Sequence, residues 1–322
     1  MKRLIPPALQ PGDTVGIIAP AGAFNRERFL TGCERLRQMG YRPFYLDSIF
    51  DRDLYFAGSV QRRVRELEEM FERHEVRAVL CARGGYGCNY LLPELNISRI
   101  AAHPKIFVGC SDVTTLLTRF LDAAGLVTFH GPMVEKAFAS PDGVDLASWS
   151  AATNSAEPWQ ITGEMEPLVE GTAEGVLYGG CLSLLVESLG TPYEMRTEGV
   201  ILFVEDVNVK PYQVDRMLMH LKLAGKWGGV RGLVFGEMAD CRQSADQPYD
   251  VQEVITRVVG DLGIPVAYGL RSGHVSRANI TLPLGVRVRL KVESSVHLDI
   301  LEPSVSVRPA VVARDSQLAT HD

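Results

Sequence analysis

The sequence predicts an α/β fold in two parts, a doubly wound N-terminal domain followed by a mixed α/β C-terminal domain. Over roughly the first 150 residues, short apolar runs alternate with segments whose apolar residues recur at helical spacing, the pattern of βαβ units. Towards the other end the period becomes two. Val286, Val288, Leu290 and Val292 alternate with polar residues and, past Ser294-Ser295, so do Val296, Leu298 and Ile300, which reads as a hairpin. A chain of 322 residues also exceeds what one hydrophobic core usually serves.

Residues 15–19 form a short apolar strand that runs into PAGAF, and Asn25 caps a helix with Phe29, Cys33, Leu36 and Met39 on one face. Ser59 precedes a second helix with Val60, Val64, Leu67 and Phe71 on one side. Its charges, Arg62, Arg63, Glu68 and Glu69, are expected on the solvated face. Residues 76–81 are the next strand and end in ARGGYG. Residues 106–108 are a third, after which Gly109 permits a tight turn and Val113, Leu116, Leu117 and Phe120 mark a helix. Ligands of such sheets bind beyond the carboxyl ends of the strands, from which all three loops leave.

The stretch 140–175 is rich in Ala, Ser, Glu, Pro and Gly without a sustained period and reads as a domain connection, with Trp149 and Trp159 packed against something. GVLYGGCLSLLVESLG is then a glycine turn leading into an apolar helix. Residues 200–204 are a buried strand ending at Glu205-Asp206, and Pro211 opens a helix with Val214, Met217, Leu218 and Leu221 on one face. Residues 232–235 and 265–268 are further strands, separated by a helix bearing Val251, Val254, Ile255 and Val258. The expected division is 1–150, a connection over 151–175, a second domain over 176–307 and a loose tail over 308–322.

An apolar share of 46% with 22% charged residues is ordinary for a globular chain, and the net charge of -6 comes without a basic run interleaved with aromatics, so nucleic acid is not an expected partner. No apolar stretch approaches the roughly 20 residues that span a bilayer, and the first residues, MKRLIPPALQPGD, lack the apolar core of a signal peptide. A cytoplasmic protein without a membrane partner is expected. The six cysteines, Cys33, Cys81, Cys88, Cys110, Cys181 and Cys241, form no C-x-x-C pair and have no His at metal-ligand spacing; they read as reduced, mostly structural thiols.

Ser111 stands where a strand stops and a helix starts. Helix-start N–H groups lack intrahelical acceptors and can stabilise an oxyanion, although a serine or aspartate there is commonly only a cap. Cys110 is a rival nucleophile in principle, with a small buried hydrophobe as its simpler role. Gly84 and Gly85 let backbone N–H groups approach an oxyanion or phosphate, but neither the G-x-G-x-x-G nor the G-x-x-x-x-G-K-[ST] nucleotide pattern is present. A serine nucleophile needs a base and the base an acid. His130 and His274 both stand in loops after apolar strands, and Glu205 and Asp206 both stand at a strand end, where acids also cap helices; residue chemistry alone leaves both pairs open.

The ordered set GD-x-VGIIAPAG, ARGGYG, GCSD-V-T-x-L, HGPM, GG-x-LSLL, GTPYE, LFVEDVNVKPYQVDRML and SGHVSRANITLPLG resembles the LD-carboxypeptidases, serine peptidases that trim murein peptides, from about Leu9 to Leu301. The resemblance implies Ser111 as nucleophile, Glu205 as acid and His274 as base, with His130 left to a structural or pocket-lining role. It implies an oxyanion held by the backbone N–H of Asp112 with that of Gly85 or Gly84, and Arg83 as a candidate for the substrate's C-terminal carboxylate. It further implies a swivelling β/β/α type of C-terminal domain, no metal or cofactor, a homodimer, and a role in peptidoglycan recycling. The substrate would be the L,D amide between a diamino acid, usually meso-diaminopimelate, and terminal D-alanine of a murein tetrapeptide. Cys181 departs from the asparagine and Cys110 from the aromatic frequent among relatives, both expected near the pocket. A branch of the same family, the microcin C7 immunity proteins, cuts aminoacyl-nucleotide amides; that alternative would need Trp149, Trp159 or Trp227 as a clamp for the base. A non-catalytic binder of anionic ligands is the alternative of another class.

Overall fold

Two sheets organise the computed structural model, which describes residues 2–163, 165–243 and 249–308. The first is parallel through β1 (Thr14–Ile18), β2 (Arg42–Phe44), β3 (Val76–Cys81), β4 (Ile106–Gly109) and β5 (Thr128–His130), in the spatial order β5-β4-β3-β1-β2. The helices α1 (Arg26–Gln38), α2 (Val60–Glu72), α3 (Ile97–Ala102) and α4 (Thr114–Ala124) alternate with these strands. The caps fall where the sequence puts them: Asn25 Oδ1 accepts from Arg28 N at 3.0 Å and Ser59 Oγ from Arg62 N at 3.2 Å.

The solvated face expected for α2 is corrected. Arg62, Arg63, Glu66 and Glu68 are buried, whereas Val60 and Val64 are only half-buried. Arg63 donates to the carbonyls of Pro20 at 2.7 Å, Gly87 at 2.8 Å and Gly58 at 3.2 Å. Arg62 pairs with Glu66 at 2.6 Å and reaches Ala19 O at 3.3 Å. A buried guanidinium is tolerable only when most of its N–H groups are met, and here carbonyls of the loop after β1 and of the glycine loop meet several of them, leaving Arg62 Nε and Arg63 Nη2 without a partner among the described residues. The helix therefore ties down two loops at the carboxyl edge of the sheet.

The connection expected over 151–175 is built into the second sheet. After α5 (Leu146–Thr153), β6 (Trp159–Thr162) and β7 (Glu166–Val169) lie at opposite edges of eight strands, and β8 (Gly171–Cys181) crosses the middle. The first half of β8 pairs antiparallel with β13 and its second half parallel with β9. After α6 (Leu182–Glu187) come β9 (Val200–Glu205), α7 (Pro211–Leu223), β10 (Val230–Gly236), α8 (Val251–Val259) and β11 (Val266–Leu270). Then β12 (Leu282–Leu284) leaves this sheet and pairs antiparallel with β5, extending the first sheet by an edge strand, where Pro283 is harmless. The hairpin β13 (Arg287–Val292) and β14 (Val296–Ile300) returns to the second sheet as the period-two pattern predicts. Arg308, where the tail was expected to begin, ion-pairs with Asp13; residues 309–322 of that tail lie outside the described residues. No helix among the described residues is long and apolar enough to cross a membrane.

Candidate active site

The site lies where the carboxyl ends of β4, β9 and β11 converge. Ser111 opens a single 3₁₀ turn, Ser111–Val113, between β4 and α4, and its backbone is left-handed at φ 61°. A non-glycine residue there stores strain of roughly 1–3 kcal/mol, which persists only when the surroundings enforce it. They do: a Cβ on Gly84 would come within 2.8 Å of Ser111 Cβ, so the glycine loop is pressed against the serine. The tight turn expected at Gly109 is in fact made by Ser111. Gly109 has no positive φ; its role is space, since a Cβ there would lie 2.5 Å from Val113 Cγ1.

Asp112 is buried and its Oδ2 accepts from Cys88 N at 2.8 Å, clamping the far end of the glycine loop. Burial raises its carboxyl above the ordinary value against the pull of that hydrogen bond. Gly22 N donates to Gly84 O at 3.0 Å. The peptide is trans, so the N–H of Gly85 points to the other side.

The structure separates the two acids. Glu205, fully buried at the end of β9, accepts on Oε2 from His274 Nδ1 at 2.8 Å and from His274 N at 3.0 Å. Burial alone would raise the Glu205 carboxyl, but His274, with His130 beside it, holds it well below the usual carboxylate range. Asp206, the next residue, turns away, accepting from Ser183 N at 2.9 Å in the first turn of α6 and from Val207 N at 2.8 Å; it is a cap. His274 follows β11. Burial and the Lys136 ammonium oppose its protonation, yet Glu205 outweighs them and its pKa is raised above the ordinary value. With Nδ1–H given to Glu205, Nε2 is the free base position.

His130 is not at the cavity. It is buried at the end of β5, with Nδ1 2.9 Å from Ser272 Oγ and Nε2 3.6 Å from Glu205 Oε1, so both histidines converge on one carboxylate. Gly273, at φ 93°, makes room for this: a Cβ there would sit 2.5 Å from Glu205 Cδ and 2.8 Å from His130 Cε1. Asn279 holds Gly273 at both ends, accepting from its N–H at 3.1 Å and donating to its carbonyl at 2.9 Å. Asn279 was legible only as a letter of the last motif.

Ser111 and His274 line one cavity of about 410 Å³ together with Arg83, Gly84, Gly85 and Cys110. Among the described residues no hydrogen bond joins Ser111 to His274. Arg83 already donates to Ala23 O at 2.9 Å. The Cys110 thiol is buried, which drives its pKa far up and removes it as a rival nucleophile. Cys181 is tied by its N–H to Thr114 Oγ1 at 3.0 Å and does not line this cavity. None of the three tryptophans lines it either; Trp149 packs on Tyr41 and Phe138 in the core.

A carboxylate-held imidazole is one arrangement that activates a hydroxyl as a nucleophile, so fold and cavity together have the parts of a serine peptidase. The comparisons are narrower. Family models described as the LD-carboxypeptidase N-terminal domain and LD-carboxypeptidase C-terminal domain match residues 15–131 and 174–290. A probable murein peptide carboxypeptidase of Bacillus subtilis is 37% identical over 307 residues, covering 94% of this chain and 95% of its own length. Among solved structures, a muramoyltetrapeptide carboxypeptidase from Oxalobacter formigenes matches with a TM-score of 0.80 and 31% identity, covering 90% of this chain and 99% of its own. The microcin C7 self-immunity protein MccF in its apo state matches at 0.87 and 26%, covering 94% and 100%. The chain belongs to the LD-carboxypeptidase family of serine peptidases.

Proposed function

We propose that this protein is a serine LD-carboxypeptidase that removes terminal D-alanine from murein tetrapeptides by cutting its amide to a diamino acid, meso-diaminopimelate first. The observation that carries the reading is the Glu205–His274 pair, bonded at 2.8 Å, facing Ser111 across one cavity. His274 Nε2 takes the proton of Ser111 as Oγ attacks the carbonyl. The oxyanion is held by the N–H of Asp112 and of Gly85, each such donor contributing about 2.7–4 kcal/mol to the transition state. The imidazolium then protonates the leaving D-alanine amine, and a water deprotonated by His274 releases the acyl group from Ser111. Glu205 stabilises the imidazolium throughout. Arg83 and Gly84 border the leaving group as wall residues. The same reading carries a cytoplasmic location, a place in peptidoglycan recycling and a homodimer.

An aminoacyl-nucleotide amide is the second reading, favoured by the overall likeness to MccF; the missing tryptophan at the cavity ranks it lower. The test is release of free D-alanine from a diaminopimelate-containing tetrapeptide by wild type and Ser111→Ala. Release by wild type alone supports the reading. Release by neither removes the murein substrate, and equal release by both removes Ser111.

A further inference from the structure

Beyond β5 the chain makes one π-turn, Val134–Phe138, a conformation that is rare and persists where neighbours enforce it. Two glycines do so here without any unusual torsion of their own. A Cβ on Gly32 would lie 2.1 Å from Val134 O, and one on Gly143 would lie 2.1 Å from Ala137 O. Glu135 N donates to Ala82 O at 2.9 Å, which fixes the turn to the loop after β3. Val134, Ala137 and Phe138 are buried, and Lys136 is the exposed residue that the clamped turn presents.

Lys136 lines the Ser111–His274 cavity and also two neighbouring ones, of about 730 and 600 Å³, so it stands where the three meet. Among the described residues its ammonium makes no hydrogen bond or ion pair. Its charge is nevertheless felt at both His274 and Cys110. The nearby cation Arg83 is partly engaged by Ala23 O, and the carboxylate of Glu237 in the adjoining cavity is held by Ser276 N and Oγ. The other acids on these walls are Glu135 beside Ser111 and His274, Asp142 in the 600 Å³ cavity, and Glu166, Asp240 and Asp250 in the 730 Å³ one. An unneutralised cation beside a base that must itself become a cation hinders the reaction in an empty site. Once a substrate anion sits on the lysine, the hindrance is cancelled.

We propose that Lys136 is the anchor for a carboxylate of the substrate and thereby selects peptides that carry one next to the scissile amide; this rests on the LD-carboxypeptidase reading above. Two carboxylates qualify by chemistry, the terminal one of D-alanine and the one on the side chain of diaminopimelate.

The experiment measures kcat and KM of wild type, Lys136→Met and Lys136→Arg on the diaminopimelate tetrapeptide, on its L-lysine counterpart and on each with a D-alaninamide terminus. Wild type should favour one carboxylate-bearing member by tenfold or more. Lys136→Met should lose about 10–100-fold in kcat/KM on that member and little on its partner, with Lys136→Arg retaining most of the preference. Loss within the amide pair assigns the terminal carboxylate, and loss within the diaminopimelate–lysine pair assigns the side chain. On the free enzyme, Lys136→Met should also move the acid limb of kcat/KM to higher pH, because a cation facing His274 is gone. Equal losses on all four peptides, or a preference that survives in Lys136→Met, would overturn the assignment while leaving the carboxypeptidase reading intact. A wild type inactive on every peptide overturns both.

Discussion

Replacing Glu205 by Gln tests the core of the site with almost no change in shape. Two donors, His274 Nδ1–H and His274 N–H, converge on the same oxygen, Oε2, at 2.8 and 3.0 Å. A glutamine will therefore turn its carbonyl oxygen towards them and its amide NH₂ towards His130 Nε2, now 3.6 Å from Oε1. The imidazole keeps its tautomer and loses only the charge behind it. At 2.8 Å and an effective dielectric of about 20, imidazolium and carboxylate attract by about 6 kcal/mol. Two hydrogen bonds to a neutral acceptor retain about 1 kcal/mol each, leaving roughly 4 kcal/mol lost from the transition state, or a fall of about 10³ in kcat. Because Glu205 is what raises the His274 pKa, the acid limb of the rate profile should move to lower pH in the variant. The raised His274 pKa also contributes stability that is complete below about 6.5 and disappears as pH rises through the folded value. The gap in melting temperature between wild type and variant should accordingly narrow on the alkaline side. D-alanine release measured from about pH 5 to 9, with melting curves on the same samples, checks all three. A kcat within about tenfold of wild type with an unmoved acid limb would refute the reasoning, since Glu205 would then not act on His274.

Three further perturbations follow from the same contacts. Gly273→Ala introduces a methyl 2.5 Å from Glu205 Cδ at a φ of 93°, and strain plus overlap should cost about 2–5 kcal/mol of stability and most of the activity, read by denaturant unfolding and D-alanine release. Arg63→Met leaves the carbonyls of Pro20, Gly87 and Gly58 without their donor; the expected loss is about 3–5 kcal/mol, and a change under about 1 kcal/mol would show that water replaces the guanidinium. Iodoacetamide at about pH 8 should leave activity intact over the time that it labels a free thiol, because all six cysteines are buried and Cys110 is held in its protonated form; rapid inactivation would contradict this.

The strands and caps of the first sheet were legible because they depend on neighbours in sequence. Asn25 and Ser59 each accept from a backbone N–H three residues on, and the apolar runs before the site loops match β1, β3 and β4 to within a residue. Strands that depend on a distant partner were not legible. In β8 the stretch GTAEG has little apolar content, and it is a strand because β13 pairs with it over Gly171–Val176. The same holds for β12, a three-residue strand that exists because β5 offers a free edge. The buried face of α2 escaped for another reason: charge predicts solvent only when no carbonyl is waiting, and the carbonyls that receive Arg62 and Arg63 come from residues more than twenty positions away as well as from nearby ones.

The choice between Glu205 and Asp206 shows what a motif supplies and what register adds. Neighbouring residues at a strand end point to opposite sides, so only one of the pair can face the seam between the sheets. Which one is set by how β9 sits between β8 and β10, where Glu205 lies beside Cys181. The space that Glu205 then occupies is opened by two other segments: Gly273, which cannot carry a Cβ, and Gly236 of β10, where a Cβ would fall 2.6 Å from Glu205 Cβ. His130 arrives at the second carboxylate oxygen from the first sheet. A carboxylate buried this completely is held by the His274 ring and backbone N–H from one sheet with the His130 ring beside it from the other, so Glu205 and the docking of the two sheets are one structural feature. Changes at Gly236, Gly273 or His130 should for that reason reach activity through the Glu205–His274 pair before they reach the peptide-binding cavity.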